Sequence, residues 1–219
     1  GGRKVHDGAI PRIGGVAVFA GFLVPVLIWL PLSNGFGAFV TAVAVLFVFG
    51  LLDDRFNLDY RAKLLGQMLA AGIATLGGDV VIQQAPLWPG GTLPPLLALP
   101  VTVLFLTAVT NAVNLSDGLD GLAGGISLMA AAALLVLDAT AGASPALIVL
   151  AALLGAVLGF LRFNTFPARL FMGDAGSQLL GFSLGVLAVT ITQRPGGGLS
   201  PFLPLLVLGM PILDMLTVM

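Results

Sequence analysis

The amino-acid sequence predicts an all-α fold, a polytopic bundle of about eight transmembrane helices. Three observations lead to this prediction: 58% of the 219 residues are hydrophobic, the mean hydropathy is +1.09, and only 9% of the residues are charged. A soluble domain contains roughly 25% charged residues, so this chain lacks the polar surface that water requires. The chain contains no cysteine, which excludes a disulfide framework, a thiol nucleophile and a cysteine-based zinc site.

Apolar runs account for the predicted helices, because a helix needs roughly 20 apolar residues to cross a bilayer. A Ser-Asn-Gly turn separates the first two runs, and a stretch of mixed charge separates the second from the third. Loops rich in Gly and Pro, or polar motifs, separate the others. In chain order the runs cover residues 13–32, 36–52, 62–78, 96–113, 122–137, 145–161, 178–192 and 202–219. No soluble domain interrupts them, so residues 1–219 are predicted to form one integral-membrane domain.

The positive charges predict the orientation of this bundle. The chain has nine Lys and Arg residues, and only Arg194 lies on one of the two sides of the alternating helices. Cytoplasmic loops of membrane proteins carry the excess of Lys and Arg, so the side with the other eight is predicted to be cytoplasmic. These eight residues are Arg3, Lys4, Arg12, Arg55, Arg61, Lys63, Arg162 and Arg169.

Carboxylates and carboxamides collect on the same predicted face. A buried carboxylate costs several kcal/mol unless a cation, a donor or water compensates it, so these groups should line a wet pocket that accepts cations. Mg²⁺ is bound by one or two carboxylates together with substrate phosphates, and the predicted helix start at Asp174 also favours phosphate. With Lys63 and Arg61 nearby, the pattern indicates phosphoryl transfer. The absence of a Walker motif argues against a P-loop nucleoside triphosphatase.

Four motifs, in this order, resemble the signatures of the polyprenyl-phosphate N-acetylhexosamine-1-phosphate transferase family, in particular its bacterial members. They are Pro11-Arg12-Ile13-Gly14-Gly15, Asp53-Asp54-Arg55-Phe56-Asn57 with Lys63, the segment 111–125, and the segment 163–177. The resemblance spans essentially the whole chain. It implies a multi-pass enzyme of the bacterial inner membrane with a cytoplasmic active site. The implied reaction transfers a sugar 1-phosphate from a UDP-N-acetylhexosamine to undecaprenyl phosphate and releases UMP.

The resemblance also implies roles for individual residues. Asp174 resembles a metal ligand, with Asn114 as its companion, for Mg²⁺ or for Mn²⁺ in its place. Asp53 resembles the base that acts on the lipid phosphate, with Asp54 beside it, and Asp174 and Lys63 complete the catalytic set. The implied substrate-binding residues are Asn57, Asn111, Asp117, Asp120, Asn164 and Phe171. Both a direct attack and a route through a phospho-aspartate at Asp174 are compatible with this set.

Other interpretations remain open at this stage. Asn111 and Asn114 also suit hydrogen bonds between helices, and Phe171 also suits a membrane interface. The donor is predicted to be UDP-N-acetylglucosamine, with a phospho-N-acetylmuramoyl-pentapeptide transferase as the alternative. A cation-coupled transporter is a further alternative, although its site would lie near the bilayer midplane and not at helix ends.

The remaining expectations concern partners and the ends of the chain. We expect membrane lipid as a partner, no nucleic acid, and we allow for a homodimer. The sequence is expected to lack the first helix of the family and its cytoplasmic loop rich in His and Arg. Asp214 matches an aspartate of the family, and an ion pair with a nearby arginine is the favoured interpretation for it.

Overall fold

The computed structural model describes residues 10–31, 33–194, 196 and 198–218, and its regular structure is helical. Within these residues there is no β-strand, only an isolated bridge between Gln84 and Thr92. The helices of the described residues are α1 (Gly14–Trp29), α2 (Asn34–Phe56), α3 (Tyr60–Gly78), α4 (Pro95–Leu115), α5 (Leu122–Thr140), α6 (Ala146–Asn164), α7 (Gly173–Thr192), α8 (Leu203–Val207) and α9 (Gly209–Val218).

Five of these helices are long and apolar enough to cross a membrane: α2, α4, α5, α6 and α7. Helix α1 is apolar but shorter, with 16 residues, and it contains Pro25. This arrangement confirms the predicted all-α, polytopic membrane fold.

The prediction of a single final helix was wrong. Residues 202–219 were expected to form one span, but the described residues form the five-residue helix α8 and the ten-residue helix α9, with Leu208 between them. Pro211 has no N–H to donate to the carbonyl of Val207, so a continuous helix would lose a hydrogen bond there. The described part of the chain therefore has nine helices instead of eight.

Several helices also extend further than their apolar runs. Helix α2 continues to Phe56, so Asp53 and Asp54 lie in its last turns, and α7 begins at Gly173. Helix α4 continues to Leu115 and includes Asn111 and Asn114. The polar site residues therefore extend the ends of apolar helices, where hydropathy alone does not show that the helix continues.

Helix α7 lies in the centre of the bundle, against α1, α2, α4 and α5. In the most apolar 18-residue stretch of α7, 94% of the residues are buried. In the other four long helices this share is 33 to 44%. Small residues allow this packing: a Cβ atom on Gly15 would lie 2.5 Å from the backbone nitrogen of Gly176. The first turn of α7, with Asp174, is thereby placed on the bundle axis.

At the opposite end of the bundle, polar contacts hold the loops to α7. Gln193, directly after α7, accepts hydrogen bonds from the backbone N–H groups of Gln83 and Gln84 at 2.9 and 2.7 Å. Arg194 forms an ion pair of 3.3 Å with Asp138, whose side chain is fully buried. Asp138 also accepts hydrogen bonds from the N–H and hydroxyl of Ser144. The positive charge predicted on this side therefore neutralises a buried carboxylate.

Candidate active site

The end of α2 and the start of α7 are joined by Asp54. Its carboxylate accepts hydrogen bonds from the backbone N–H groups of Asp174 and Ala175, at 2.9 and 3.1 Å. These N–H groups belong to the first turn of α7, where a helix has no internal acceptors for them. The sequence suggested that this helix start would favour a phosphate, but Asp54 already occupies two of its donors.

Gly173 makes the approach of Asp54 sterically allowed. Its φ is +73°, a conformation that favours glycine, and an added Cβ would lie 2.7 Å from the Asp54 carboxylate oxygens. A larger residue at position 173 would therefore displace the carboxylate that caps α7.

Asp53 and Lys63 form an ion pair near Asp174, outside the wall of the cavity described below. Asp53 is 4% exposed, and its Oδ1 accepts a hydrogen bond of 2.9 Å from the N–H of Leu58. Its Oδ2 lies 2.5 Å from Lys63 Nζ, which in turn lies 3.9 Å from Asp174 Oδ1. One oxygen of Asp53 thus contacts a backbone N–H and the other contacts Lys63, so the geometry favours a role for Asp53 in positioning Lys63. The role of Asp53 as a base stays a prediction.

Asn114 is the direct partner of Asp174. Its amide nitrogen donates to Asp174 Oδ1 at 2.7 Å and to the hydroxyl of Ser177 at 2.8 Å. The Ser177 hydroxyl donates in turn to the carbonyl of Gly173 at 2.9 Å. Asn114 and Asp174 are thus in direct contact, and the hydrogen bond fixes the Asp174 carboxylate in one orientation. Their shared role as metal ligands stays a prediction.

A cavity of about 750 Å³ opens in front of Asp174. Six of the predicted site residues line it: Asn114, Asp117, Asp120, Asn164, Phe171 and Asp174. Five predicted residues do not belong to its wall: Asp53, Asp54, Asn57, Lys63 and Asn111. Among these, Asn57 ends α2 in a left-handed conformation with φ of 51° and is exposed.

Burial raises the pKa of Asp117 to about 7, and the negative charges of Asp174 and Asp54 act in the same direction. The positive charge of Arg12 opposes this rise only in part. Near neutral pH the Asp117 carboxyl is therefore divided between its neutral and ionised forms. A cation that enters the cavity would favour the ionised form.

Asp120 and Asn164 connect two of the loops that contribute to the cavity wall. Asp120 Oδ2 accepts a hydrogen bond of 2.9 Å from the N–H of Ala168. Asn164 Oδ1 accepts from the N–H of Gly121 at 3.0 Å, and its amide donates to the carbonyl of Leu170 at 2.9 Å. Both were predicted to bind substrate, and the structure gives them an additional role in shaping the cavity.

Asn111 takes part in a buried amide network between α3, α4 and α7. It donates to Gln67 Oε1 at 2.5 Å, and the Gln67 amide nitrogen lies 3.3 Å from Gln178 Oε1. This placement agrees with the alternative interpretation of Asn111 as a residue that joins helices. The sequence analysis did not single out Gln67 and Gln178, although a glutamine inside an apolar run is the signal that could have identified them.

The cavity residues fit Mg²⁺ by their chemistry. Among the described residues no group of three His, Cys, Asp or Glu side chains is arranged to hold a metal ion alone. Mg²⁺ commonly uses one or two carboxylates and completes its shell with water and substrate phosphates, which suits Asp174 and Asp117 in an acidic cavity. The Asn114 amide oxygen accepts no hydrogen bond from the described residues, so it remains available as a third ligand. Metal dependence stays a prediction.

Asp214 has a different partner from the one expected. Its Oδ2 accepts a hydrogen bond of 3.1 Å from the hydroxyl of Ser116, at the end of α4. No arginine of the described residues pairs with it. Helix α9 is thereby connected to the loop that carries Asp117.

The segment before α1 also reaches the cavity. The carbonyl of Pro11 accepts a hydrogen bond from the N–H of Phe171, and the N–H of Gly14 donates to the carbonyl of Phe171, each at 3.0 Å. Arg12, between them, lines the cavity. The sequence analysis gave Arg12 no role beyond orientation, although it lies inside one of the four motifs.

A bundle of apolar helices with an acidic cavity at one end defines a membrane-embedded protein with a site for a charged ligand. Comparison with known proteins identifies its family. Residues 36–192 match the model of glycosyl transferase family 4, and the chain belongs to this family. The assignment made from the four motifs is thereby confirmed.

Curated relatives have two kinds of name. A probable undecaprenyl-phosphate N-acetylglucosaminyl 1-phosphate transferase of Bacillus subtilis is 35% identical over 97% of the chain and 60% of that protein. A decaprenyl-phosphate N-acetylglucosaminephosphotransferase of Mycobacterium leprae is 35% identical over 98% of the chain and 62% of that protein. A phospho-N-acetylmuramoyl-pentapeptide-transferase of Moorella thermoacetica is 41% identical over 82% of the chain and 60% of that protein. The chain thus spans about 60% of the length of these relatives.

Proposed function

We propose that the protein transfers N-acetylglucosamine 1-phosphate from UDP-N-acetylglucosamine to undecaprenyl phosphate, at the cytoplasmic face of a bacterial inner membrane. The relatives named above support a polyprenyl-phosphate sugar-1-phosphate transferase. The observation that carries the proposal is the position of Asp174. It lies at the start of the central helix, in the cavity wall, held by Asn114 and near Lys63.

The reaction forms one phosphorus–oxygen bond and breaks another. An oxygen of the lipid phosphate attacks the β-phosphorus of the UDP-sugar, and the bond between that phosphorus and the bridging oxygen breaks. The bridging oxygen leaves with the α-phosphate as UMP. Such a transfer depends mainly on positioning and on charge stabilisation, for which the site offers carboxylates, Arg12 in the cavity wall and Lys63 near Asp174.

The residues of the chain divide this work. Asn114 and Lys63 orient Asp174, and the loops joined by Asp120 and Asn164 shape the wall that receives the nucleotide. The half-buried ring of Phe171, in the cavity wall, is proposed to contact the uracil. A bound Mg²⁺ would neutralise charge on the phosphates, with Asp174, Asp117 and Asn114 as its protein ligands.

The site's location also bears on the transporter alternative. The groups that form the cavity come from the segment before α1, the ends of α4 and α6, the start of α7 and the loops between helices. A transporter would be expected to place them near the middle of the bundle. The name of the Moorella relative keeps a muramoyl-pentapeptide donor as a second candidate.

The test uses the full-length protein in detergent with undecaprenyl phosphate, Mg²⁺ and radiolabelled UDP-N-acetylglucosamine. We expect the label in an organic-extractable lipid and UMP as the soluble product, and UDP-N-acetylmuramoyl-pentapeptide tested in parallel should be inactive. Release of UDP would contradict transfer of a sugar 1-phosphate. Label that accumulates unchanged inside sealed vesicles would indicate transport. Asp174→Asn is the control: it removes a charge with little change of volume and should abolish turnover.

A further inference from the structure

Arg12 lies in the wall of the cavity, on the segment that precedes α1. The backbone is fixed on both sides of it by the hydrogen bonds of Pro11 and Gly14 to Phe171. One residue further, the N–H of Gly15 donates to the carbonyl of Met172 at 2.8 Å. The side chain itself is exposed. Its position is therefore determined by the chain around it, while its guanidinium faces an open space.

The charges around Arg12 are unbalanced. Within the described part of the chain, it is the one cationic side chain that lines the cavity, against the carboxylates of Asp117, Asp120 and Asp174. No carboxylate of the described residues lies within 4.0 Å of its guanidinium, so it forms no close ion pair there. The five donors of the Arg12 guanidinium therefore make no hydrogen bond with the described residues, although its charge acts at longer range on Asp117.

The other cation near Asp174 is differently placed. Lys63 is bound to the buried carboxylate of Asp53 and does not belong to the cavity wall. An anionic ligand that enters the cavity therefore meets the guanidinium of Arg12 in the wall, whereas the charge of Lys63 is paired with Asp53. A guanidinium binds phosphate through two parallel hydrogen bonds, a geometry that a lysine ammonium does not reproduce.

We propose that Arg12 is a phosphate-binding residue whose guanidinium holds a phosphate group of the substrate inside the acidic cavity. The identity of the substrate rests on the proposed function, which offers two sources of phosphate: the diphosphate of the sugar nucleotide and the headgroup of the lipid acceptor. Among the described residues that line the cavity, Arg12 is the side chain whose positive charge attracts either anion. Arg12 is thus a determinant of binding rather than of the chemical step.

The first experiment measures binding without turnover. Uridine and UDP are titrated against the full-length protein at fixed salt and Mg²⁺, for the wild type, Arg12→Gln and Arg12→Lys. For a phosphate from the nucleotide, we expect Arg12→Gln to weaken UDP binding by about 10- to 100-fold, the range of a hydrogen bond to a charged group, and to leave uridine binding unchanged. Arg12→Lys should retain part of the affinity. Uridine also serves as the folding control, and equal losses for both ligands would overturn the proposal.

The second experiment distinguishes the two phosphates. KM is measured for UDP-N-acetylglucosamine and for undecaprenyl phosphate in the same variants. A rise for the sugar nucleotide assigns Arg12 to the donor, and a rise for the lipid with UDP binding unchanged assigns it to the acceptor. No change in either KM or in UDP binding would overturn the proposal. Arg162→Ala is the matched control, since Arg162 is exposed at the end of α6 and outside the cavity wall.

The outcomes also separate this proposal from the proposed function. If the wild type shows no transfer but Arg12→Gln still removes the preference for UDP over uridine, the reaction is wrong and the role of Arg12 stands. If transfer is observed with unaltered substrate affinities in Arg12→Gln, the reaction stands and the role of Arg12 is wrong.

Discussion

Asp54, in the last turns of α2, accepts a hydrogen bond of 2.9 Å from the backbone N–H of Asp174, 120 residues later in the chain. The adjacent Asp53 has a different contact, the ion pair with Lys63. Two neighbouring aspartates thus act on the same residue by different means. Asp54 fixes the backbone of Asp174, and Asp53 holds the lysine that faces its side chain.

Asp54→Ala should destabilise the protein by about 1 to 2 kcal/mol, because α7 would lose the acceptor for two of its N–H groups. Thermal unfolding in detergent measures this change. Asp59→Ala is the control: Asp59 is the N-cap residue of α3, but its side chain makes no capping hydrogen bond. Equal effects of the two substitutions would show that capping of α7 contributes nothing specific.

The ion pair of Asp53 and Lys63 should show strong coupling in a double-mutant cycle. Lys63→Met leaves a buried carboxylate without its cation, so it should lower stability more than Asp53→Asn does. The double substitution should be more stable than Lys63→Met, with a coupling energy of about 1 to 3 kcal/mol. Unfolding temperatures of the four proteins provide the measurement. Additive effects would show that the two residues act independently.

Stability should depend on pH through Asp117. Its pKa is raised in the folded protein from 3.8 to about 7, so between these values the folded state keeps a proton that the unfolded state has lost. The contribution of Asp117 to stability is therefore largest at low pH and is lost as the pH rises through about 7. Unfolding temperatures without divalent ions should fall more steeply with pH for the wild type than for Asp117→Asn.

The same unfolding temperatures can be measured as a function of pH with Mg²⁺ present. A cation in the cavity favours the ionised carboxyl, so the ion should reduce the loss of stability at high pH in the wild type and have a smaller effect in Asp117→Asn. Parallel pH curves for the two proteins would contradict the predicted titration of Asp117.

The ion pair at the opposite end gives a prediction about stability alone. Arg194→Met leaves the fully buried Asp138 without its cation and should cost about 3 to 5 kcal/mol. Arg162→Met, at an exposed position, should cost much less. Thermal unfolding compares the two. A similar cost for both would mean that the charge of Asp138 is compensated in another way.

The fold was predictable because hydropathy reports directly on burial in lipid. The apolar runs located the membrane helices, and the motifs located six of the residues that line the cavity. The break between α8 and α9 was missed because apolar residues continue on both sides of Leu208, so the hydropathy stays high through Pro211. Length and hydropathy do not record a single lost hydrogen bond.

The contacts within the site were less accessible to sequence analysis. Neighbours in the chain, such as Asp53 and Asp54, suggested a shared role, but their partners lie on different helices. Asn111 and Asn114 are the same residue type and lie about one helical turn apart. Asn111 nevertheless joins a hydrogen-bond network between helices, whereas Asn114 lines the cavity. Roles of this kind depend on tertiary contacts that spacing does not encode.

The contacts at both ends of α7 limit how this helix can move. Asp54 accepts hydrogen bonds from the first turn of α7. At the other end, Gln193, which follows the last residue of α7, accepts hydrogen bonds from residues 83 and 84. Sliding along the helix axis, like a piston, would break both sets of hydrogen bonds at once. We therefore expect substrate entry to be accommodated by the loops at residues 116–121 and 165–172, while Asp174 stays in place.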